Sequence, residues 1–214
     1  MNWHRDTGPG SKRGYHHGNL REALIKAALD LISQKGPAGF TFAEAARAAG
    51  VSAAAPYRHY RDRDALLADV ARRGYELFQD SLTTAWNDGK PDPHTAFHAL
   101  GRSYLAFAKR EPAYFAAMFE AGLAFDAFPD LRDAGDKAFA ILRDACGTLI
   151  ETLPAEKRPP VMMMALHIWS LSHGIASLFA RGDGARRAIP MTPEDLLEAA
   201  VLVYFDGLGL RSAK

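Results

Sequence analysis

The apolar residues of this 214-residue chain recur mostly three or four positions apart, which is the spacing of an amphipathic helix. A first stripe runs from Leu20 through Leu24 and Ala28 to Leu31, and it stops before Gly36. No segment shows the sustained alternation of apolar and polar residues that predicts a β-strand. The pattern therefore predicts an all-α chain.

Capping residues and helix breakers divide the chain into about nine helices. After the first helix, which starts near Leu20, the predicted helices lie at about 42–49, 53–60, 63–86, 94–110, from 112 onwards, 129–153, 161–180 and 195–207. A breaker-rich loop at residues 87–93 separates the fourth helix from the fifth. Thr192 and Pro193 supply an N-cap and a proline start for the ninth helix.

The second and third helices lie unusually close together. Thr41 is a candidate N-cap of the second helix, and Gly50 suits a turn that requires a positive φ. Ser52 and Asp62 are candidate N-caps of the third and fourth helices. Two short helices joined by a tight turn containing glycine are typical of a helix-turn-helix, whose second helix enters the DNA major groove. The alternative interpretation is three ordinary helices of an α-bundle.

Charge is distributed unevenly along the chain. Residues 1–75 contain 12 Lys and Arg against 7 Asp and Glu, whereas the remaining 139 residues contain 14 against 18. The net charge of +1 therefore hides a basic N-terminal part and an acidic remainder. Because affinity for nucleic acid depends on local positive charge facing the phosphates, the basic part supports the helix-turn-helix interpretation.

Several short motifs have to be taken as a set. In the N-terminal part they are GYHHGNLR at 14–21, AA at 27–28, Gly36, AA at 45–46, GVS at 50–52, PYRHY at 56–60 and DALL at 64–67. This set resembles the DNA-binding domain of the TetR family of regulators. Further along, Trp169, His173 and Gly174 are similar to the tryptophan and histidine-glycine signature of that family's WHG-type C-terminal domain.

The resemblance implies an N-terminal three-helix helix-turn-helix domain, joined by a long helix to a C-terminal helical bundle that binds a ligand and dimerises. We accordingly expect a flexible N-terminal arm at residues 1–13, a DNA-binding domain at residues 14–66 and a C-terminal domain at residues 67–214. The resemblance also implies three partners, namely a palindromic operator in double-stranded DNA, a small-molecule effector and a second copy of the chain.

Candidate DNA contacts follow from side-chain chemistry and from the resemblance. Hydroxyls and free N–H groups at helix N-termini suit phosphate, and an arginine on the recognition helix is able to pair with guanine. The resemblance places Arg63 where the family usually has a phosphate-binding lysine. Tyr60 is interpreted as a core residue rather than a DNA contact. The candidate contacts are Lys12, Arg13, Thr41, Ser52, Ala53, Ala54, Tyr57, Arg58, His59 and Arg63.

The C-terminal part contains the residues of a possible ligand pocket. Ten aromatic and methionine side chains crowd the 43 residues between Trp86 and Phe128, and three consecutive methionines follow on the eighth helix. Such residues are often plain core, but adaptable methionine and large rings also suit an apolar cavity between helices. The candidate ligand contacts are Phe97, Tyr104, Met118, Phe119, Met163 and His173. His173 has a second interpretation as a buried, hydrogen-bonded structural histidine.

The ninth helix carries a wide apolar stripe. With the eighth helix it resembles the family's four-helix dimer interface, and a dimer places two recognition helices on half-sites about 34–36 Å apart. The alternative is that the same stripe is core within one chain. The candidate dimer contacts are Leu197, Val201, Tyr204 and Leu208.

Other chemistry is weighed and set aside. His94 and His98 have the i, i+4 spacing of zinc ligands, but no third ligand is evident nearby, so we expect no metal. The single cysteine, Cys146, is interpreted as a buried apolar residue rather than a redox sensor, and it suits a reducing cytoplasm. No apolar run reaches the length of a membrane span, so we expect no membrane partner. No cofactor is predicted.

These observations together predict a cytoplasmic, homodimeric transcriptional repressor that a small apolar or aromatic effector releases from its operator. Two alternatives belong to other classes. One is a constitutive DNA-binding regulator without an effector. The other is an all-α enzyme that uses Cys146 and a histidine, against which stands the absence of any motif joining a nucleophile, a base and an orienting acid.

Overall fold

A computed structural model describes residues 19–180 and 189–210, and within these ranges it contains eight α-helices and no β-strand. The all-α prediction is confirmed. The arm at residues 1–13, with Lys12 and Arg13, lies outside the described residues. The helices are α1 (Asn19–Lys35), α2 (Phe42–Ala48), α3 (Arg63–Trp86), α4 (Pro93–Arg110), α5 (Pro112–Phe119), α6 (Pro129–Ile150), α7 (Val161–Ala180) and α8 (Pro193–Leu208).

The helix N-termini predicted from capping residues are confirmed. Thr41 and Glu44 form a reciprocal capping box at the start of α2. Asp62 accepts a hydrogen bond from the Ala65 N–H at the start of α3, and Thr192 accepts one from the Asp195 N–H at the start of α8. Gly50 has a φ of 73°, as the turn after α2 requires.

The recognition helix is shorter than predicted. Instead of an α-helix starting at Ser52, the chain makes a single 3₁₀ turn over Ala55–Arg58, and Ala54 rather than Ser52 precedes it without a side-chain cap. Pro56 has no N–H to give, and Asp62 is already extended to cap α3. Only one helical turn therefore fits between the turn at Gly50 and α3. We call Ala55–Arg58 the recognition turn.

The long helix α3 is the centre of the molecule. Its N-terminal end packs with α1, while the remainder packs against α4, α5 and α6. Helix α7 packs on α4 and α6, and α8 packs on α7 and α4. We call α1, α2, the recognition turn and the first two turns of α3 the head, and we call α4–α8 with the rest of α3 the body.

Gly74 of α3 is a packing residue rather than the weak point that a glycine within a long helix suggests. A β-carbon at this position would lie 2.8 Å from Met118 Sδ and 3.3 Å from Tyr114 Cβ of α5. Glycine thus allows α5 to approach α3 closely, within a helix that continues through this position. The absence of a side chain at Gly74 therefore serves the contact between two helices.

Helix α7 is the most apolar of the long helices. By length and composition its segment Val161–Phe179 would be able to cross a membrane, and 33% of the segment is buried. One helix of this kind is weak evidence for a membrane, because core helices of soluble proteins meet the same criteria. The exposed apolar side chains of α7 and α8 form what we call the outer face: Met162, Met163, Leu166, Leu202 and Val203.

Candidate functional site

The recognition turn and its flanks form an exposed polar surface on the head. Ser52, Tyr57, Arg58 and His59 are all exposed. The Tyr57 ring is fixed edge-on against Phe42 of α2, with ring centroids 5.0 Å apart. Within the described ranges, no hydrogen bond or ion pair engages the side chains of Ser52, Arg58 or His59. These donors are therefore free to contact another molecule.

Behind this surface, Tyr60 connects the recognition turn to α3. Its hydroxyl donates to Asp69 Oδ2 at 2.6 Å, and Arg21 of α1 donates to the same oxygen from Nε at 3.0 Å. Tyr60 is buried, as predicted from sequence. Burial, together with the hydrogen bond to Asp69, raises the pKa of Tyr60, so that the phenol remains a neutral donor.

Asp69 is the buried anchor of this network. Only 7% of the residue is exposed, and burial by itself would raise the pKa of its carboxyl group. Hydrogen bonds from Tyr60, Arg21 and Arg72 outweigh burial, and the pKa is lowered. Arg72 donates from Nη2 to Asp69 Oδ1 at 2.7 Å. One ionised carboxylate thus joins α1, the end of the recognition turn and α3.

Two predicted DNA contacts already have partners within the chain. The Thr41 hydroxyl accepts from the Glu44 N–H at 3.2 Å as part of the capping box. Arg63 donates from Nε to the Phe40 carbonyl at 2.8 Å and from Nη2 to the Pro37 carbonyl, and its guanidinium lies over the Phe40 ring. Arg63 therefore holds the loop before α2. The phosphate contacts of Thr41 and Arg63 stay predictions.

The two alanines of the predicted contact set lie beside Ser52. Both Ala53 and Ala54 are exposed. A methyl group has no hydrogen bond to offer, so these positions are able to make only apolar contacts, such as one with a thymine methyl group. Their contact with DNA also stays a prediction.

Helices α3, α4, α6, α7 and α8 line a cavity of about 300 Å³ in the body. Aromatic rings form much of its wall, among them Tyr75, Phe78, Phe125 and Phe139. This volume lies at the lower end of the range for small-molecule sites, about 300–1,000 Å³. The wall is suited to an apolar ligand.

Three of the six predicted ligand contacts, Phe97, Tyr104 and Phe119, line this cavity. His173 lies behind Tyr104, whose hydroxyl is 2.9 Å from His173 Nδ1. The His173 ring is also stacked on Phe115, with centroids 5.5 Å apart. His173 therefore supports the wall through Tyr104, in agreement with its structural interpretation.

The remaining two predicted contacts lie elsewhere. Met118 packs against Gly74 at the contact between α3 and α5. Met163 is 43% exposed on the outer face, whereas the adjacent Met164 is fully buried. Successive residues of a helix point about 100° apart, so three consecutive methionines cannot all face one cavity. Neither Met118 nor Met163 belongs to the cavity wall.

Sequence reasoning missed the contribution of α7 to the cavity. Ile168, Trp169 and Ser172 line it from one face of this helix. Their spacing of one, three and four residues is a helical-face signal that the sequence contains. In the sequence, Trp169 stands out only as part of a family signature, and Ser172 is a residue type that apolar periodicity ignores.

The predicted dimer contacts divide between two surfaces. Leu197 and Val201 are buried within the chain and line the cavity. Tyr204 is half-buried, its hydroxyl 3.1 Å from His167 Nδ1 of α7, and Leu208 is also half-buried. The outer face consists of neighbouring residues instead, of which Val203 is 75% exposed. The stripe is thus partly intrachain core, as the alternative interpretation held.

The residues considered for other chemistry have structural surroundings. Cys146 is completely buried, as expected, and burial raises the pKa of its thiol to about 12. A thiol that stays protonated is a poor nucleophile and a poor redox sensor. His94 and His98 both contact the Phe205 ring, with ring centroids 5.7 and 6.3 Å apart.

Comparison with known families gives two matches along the chain. Residues 24–70 match the family described as "Bacterial regulatory proteins, tetR family", and residues 97–204 match the one described as "Tetracyclin repressor-like, C-terminal domain". The first match spans the recognition turn and the second spans the helices around the cavity. The second alone covers half of the chain.

Individual proteins agree with the family matches. The HTH-type transcriptional regulator YobS of Bacillus subtilis (strain 168) is 25% identical over 198 residues, which cover 89% of this chain and 93% of YobS. A protein of unknown function from Rhodococcus sp. RHA1 has a similar structure, with a TM-score of 0.72, 30% identity, and coverage of 92% of this chain and 98% of its own. The TetR family transcriptional regulator PfmR from Thermus thermophilus shares the fold, with a TM-score of 0.66, 20% identity and coverage of 89% and 98%.

Proposed function

The chain belongs to the TetR family of DNA-binding transcriptional regulators, and we propose that it is a homodimeric repressor that a small apolar effector releases from a palindromic operator. In this proposal Ser52, Tyr57, Arg58 and His59 contact DNA and the cavity binds the effector. We expect the protein to act in the cytoplasm, where it meets operator DNA.

The observation that carries the proposal is that one helix belongs to both sites. Helix α3 begins at Arg63, next to the recognition turn, and twelve residues later Tyr75 lines the cavity. A ligand that favours a different position of α3 in the body must therefore also favour a different position of the head. A constitutive regulator would not need this arrangement, so we favour the effector-controlled alternative.

A second connection runs along the outside of α3. Phe125 lines the cavity and contacts the Tyr75 ring edge-on, with centroids 6.3 Å apart. Three residues later, the Phe128 ring lies 5.4 Å from Arg61 Cζ, directly after the recognition turn. A ligand that displaces Phe125 would thus act on the head through a short segment. We propose both connections as the route of release.

The first test is a titration of operator DNA. A duplex selected from a random pool with the wild-type protein should bind Arg58→Ala more weakly by about 1–3 kcal/mol, provided that the guanidinium pairs with a base. Lys90→Ala is the matched control, because Lys90 follows the far end of α3 and is exposed. This variant should retain wild-type affinity. Equal affinities for all three proteins would contradict the recognition surface.

Effector release is tested on the same complex. Compounds that raise the melting temperature of the protein in an apolar library are added to the operator complex at saturation. We expect a hit to lower operator affinity by about 5- to 150-fold, which corresponds to a coupling of about 1–3 kcal/mol. Hits that stabilise the protein without changing operator affinity would leave DNA binding intact and contradict release.

We further propose that the outer face is the dimer interface. Exposed apolar side chains gathered on two neighbouring helices are a frequent mark of protein association. A single chain presents one recognition turn, whereas a palindrome offers two half-sites, so dimerisation places both turns on one operator. The same face explains how a helix as apolar as α7 is kept from water without a membrane.

The interface is tested with two exposed leucines of similar accessibility. Leu202 on the outer face is 49% exposed, and Leu77 on α3 is 46% exposed. Leu202→Glu should convert a dimer to monomers in sedimentation at micromolar concentration, because it places two carboxylates in an apolar interface. Leu77→Glu should remain dimeric. A monomeric wild-type protein, or dissociation by both substitutions, would rule out this interface.

Finally, we propose that the chain has no catalytic activity. Its fold and family are those of transcriptional regulators. The enzyme alternative depends on Cys146, and the burial and raised pKa of this thiol count against it as a nucleophile.

A further inference from the structure

The cavity contains one polar group that has no partner. Ser172 of α7 lines it and is only 3% exposed. Among the described residues no side chain or carbonyl makes a hydrogen bond with its Oγ. Yet Oγ is not sealed inside the protein, since no buried side-chain oxygen or nitrogen of the described chain lacks a partner. The hydroxyl therefore faces the space of the cavity.

The other polar groups of the inner wall are already occupied. The Tyr104 hydroxyl is paired with His173 Nδ1 at 2.9 Å and also interacts with the Trp169 side chain. The Tyr75 hydroxyl donates to the Met118 carbonyl at 3.4 Å. A buried hydroxyl without a partner is unfavourable, and apolar walls offer it nothing. Ser172 thus differs from every other polar side chain that the structure describes in the inner wall.

Charge is confined to the mouth of the cavity. The charged residues in its lining, Arg102, Asp136, Glu194 and Glu198, are all exposed. In the described chain the buried charged residue is Asp69, which lies in the head. Burial lowers the pKa of His98, so this imidazole is neutral at pH 7. An ionised group deep in the cavity would find no counter-charge.

Resting on the proposed function, we infer that the effector is an uncharged compound with an aromatic or alkyl body and one hydroxyl or carbonyl group, which forms a hydrogen bond with Ser172 Oγ. The rings of the wall contact the body of the ligand. Any ionised group that it carries stays at the mouth. Ser172 is able to donate to a carbonyl, or to donate to and accept from a hydroxyl.

The test compares three two-ring probes, 2-naphthol, 2-methylnaphthalene and 2-naphthoate, by isothermal titration calorimetry of the full chain. Ser172→Ala should weaken 2-naphthol about 10-fold, because the probe hydroxyl is then buried without a partner. The same substitution should change 2-methylnaphthalene less than about 2-fold, since its methyl group makes no hydrogen bond. Binding of 2-naphthoate should be at least about 100-fold weaker than that of 2-naphthol.

Ser170→Ala is the matched control, because Ser170 lies on the exposed side of the same helix. It should leave the affinity for all three probes unchanged. Far-UV circular dichroism and melting of each variant verify that α7 stays folded, as expected for a serine-to-alanine change in a helix.

Equal losses for 2-naphthol and 2-methylnaphthalene in Ser172→Ala would overturn the hydrogen bond, as would 2-naphthoate binding as tightly as 2-naphthol. In both cases the cavity would still be a ligand site. Failure of all three probes to bind the wild-type protein would overturn this inference and the effector site together. Operator affinity is not read in this experiment, so a failure of release cannot be mistaken for either result.

Discussion

In the head, hydrogen bonds to charged groups hold the recognition turn, whereas in the body aromatic rings surround a cavity whose inner wall has few polar groups. Tyr60, Arg21 and Arg72 converge on the buried carboxylate of Asp69. Across the described part of the body, the buried polar residue is Ser172, and its hydroxyl faces open space. The two regions thus place their polar atoms in opposite ways.

The difference matches what each region has to do. Hydrogen bonds are directional and weaken steeply with angle, so a network of them fixes the orientation of a short turn that apolar packing cannot fix alone. Contacts between rings are less directional, and a wall of rings tolerates ligands of several shapes. A rigid surface for DNA and an adaptable surface for a small molecule therefore occupy the two ends of α3.

The largest effect is expected from Asp69→Ala. The substitution leaves the Tyr60 hydroxyl and two guanidinium groups without their shared acceptor, and it should lower the free energy of unfolding by about 3 kcal/mol. Urea denaturation at a fixed protein concentration measures this change. Asp80→Ala, at an exposed position of the same helix, is the control and should change stability by less than about 0.5 kcal/mol. Equal effects would mean that the head does not depend on this network.

The pH dependence gives a second measure of the same carboxylate. The folded-state pKa of Asp69 is lowered, so ionisation favours the folded state. Its contribution is present above the ordinary aspartate pKa of about 3.9 and is lost as the pH falls through the folded pKa. The stability difference between wild type and Asp69→Ala should therefore shrink as the pH is lowered from about 5. A difference independent of pH in this range would show that the carboxylate acts through packing alone.

A smaller effect is expected from Tyr60→Phe, which removes one oxygen from the network and keeps the ring. Hydrogen bonds to charged groups contribute about 1.5–3 kcal/mol, so unfolding should become easier by about 2 kcal/mol. Operator affinity should fall as well, because the end of the recognition turn loses its attachment to α3. Full operator affinity in a destabilised variant would separate stability from positioning and break the first half of the comparison.

The smallest effect is expected from the matched change in the body, Tyr104→Phe. Its hydroxyl pairs with a neutral partner, His173 Nδ1, and the surrounding rings remain in place. The expected loss is about 1 kcal/mol in urea denaturation. Tyr204→Phe, at a half-buried site near the surface, is the control and should cost less. A loss as large as that of Tyr60→Phe would show that the body depends on hydrogen bonds as much as the head does.

The sequence predicted the positions of most helices closely. The N-caps Thr41, Asp62 and Thr192 are all where the sequence placed them, and α3 has the predicted bounds Arg63–Trp86. These features depend on neighbours within one or two turns, which a single sequence contains in full. The recognition turn is the exception, since its length is limited by how α2 and α3 meet in space.

Site residues were predicted less evenly, because a residue type does not say which side of a helix faces a cavity. Phe97, Tyr104 and Phe119 line the cavity as expected, but Met163 is exposed and Met118 packs on Gly74. Local sequence contains the residue types, whereas the direction in which each side chain points depends on how the helices are rotated against one another.

By itself, the sequence determined the all-α class, the caps, the family and the buried state of Tyr60 and Cys146, since these follow from local pattern and residue chemistry. Only the tertiary structure decided that Asp69 joins three segments and that Ser172 lacks a partner in the cavity. Residues such as Arg21 and Asp69 lie 48 positions apart, and contacts of this kind depend on the angles at which helices pack, which no short stretch of sequence encodes.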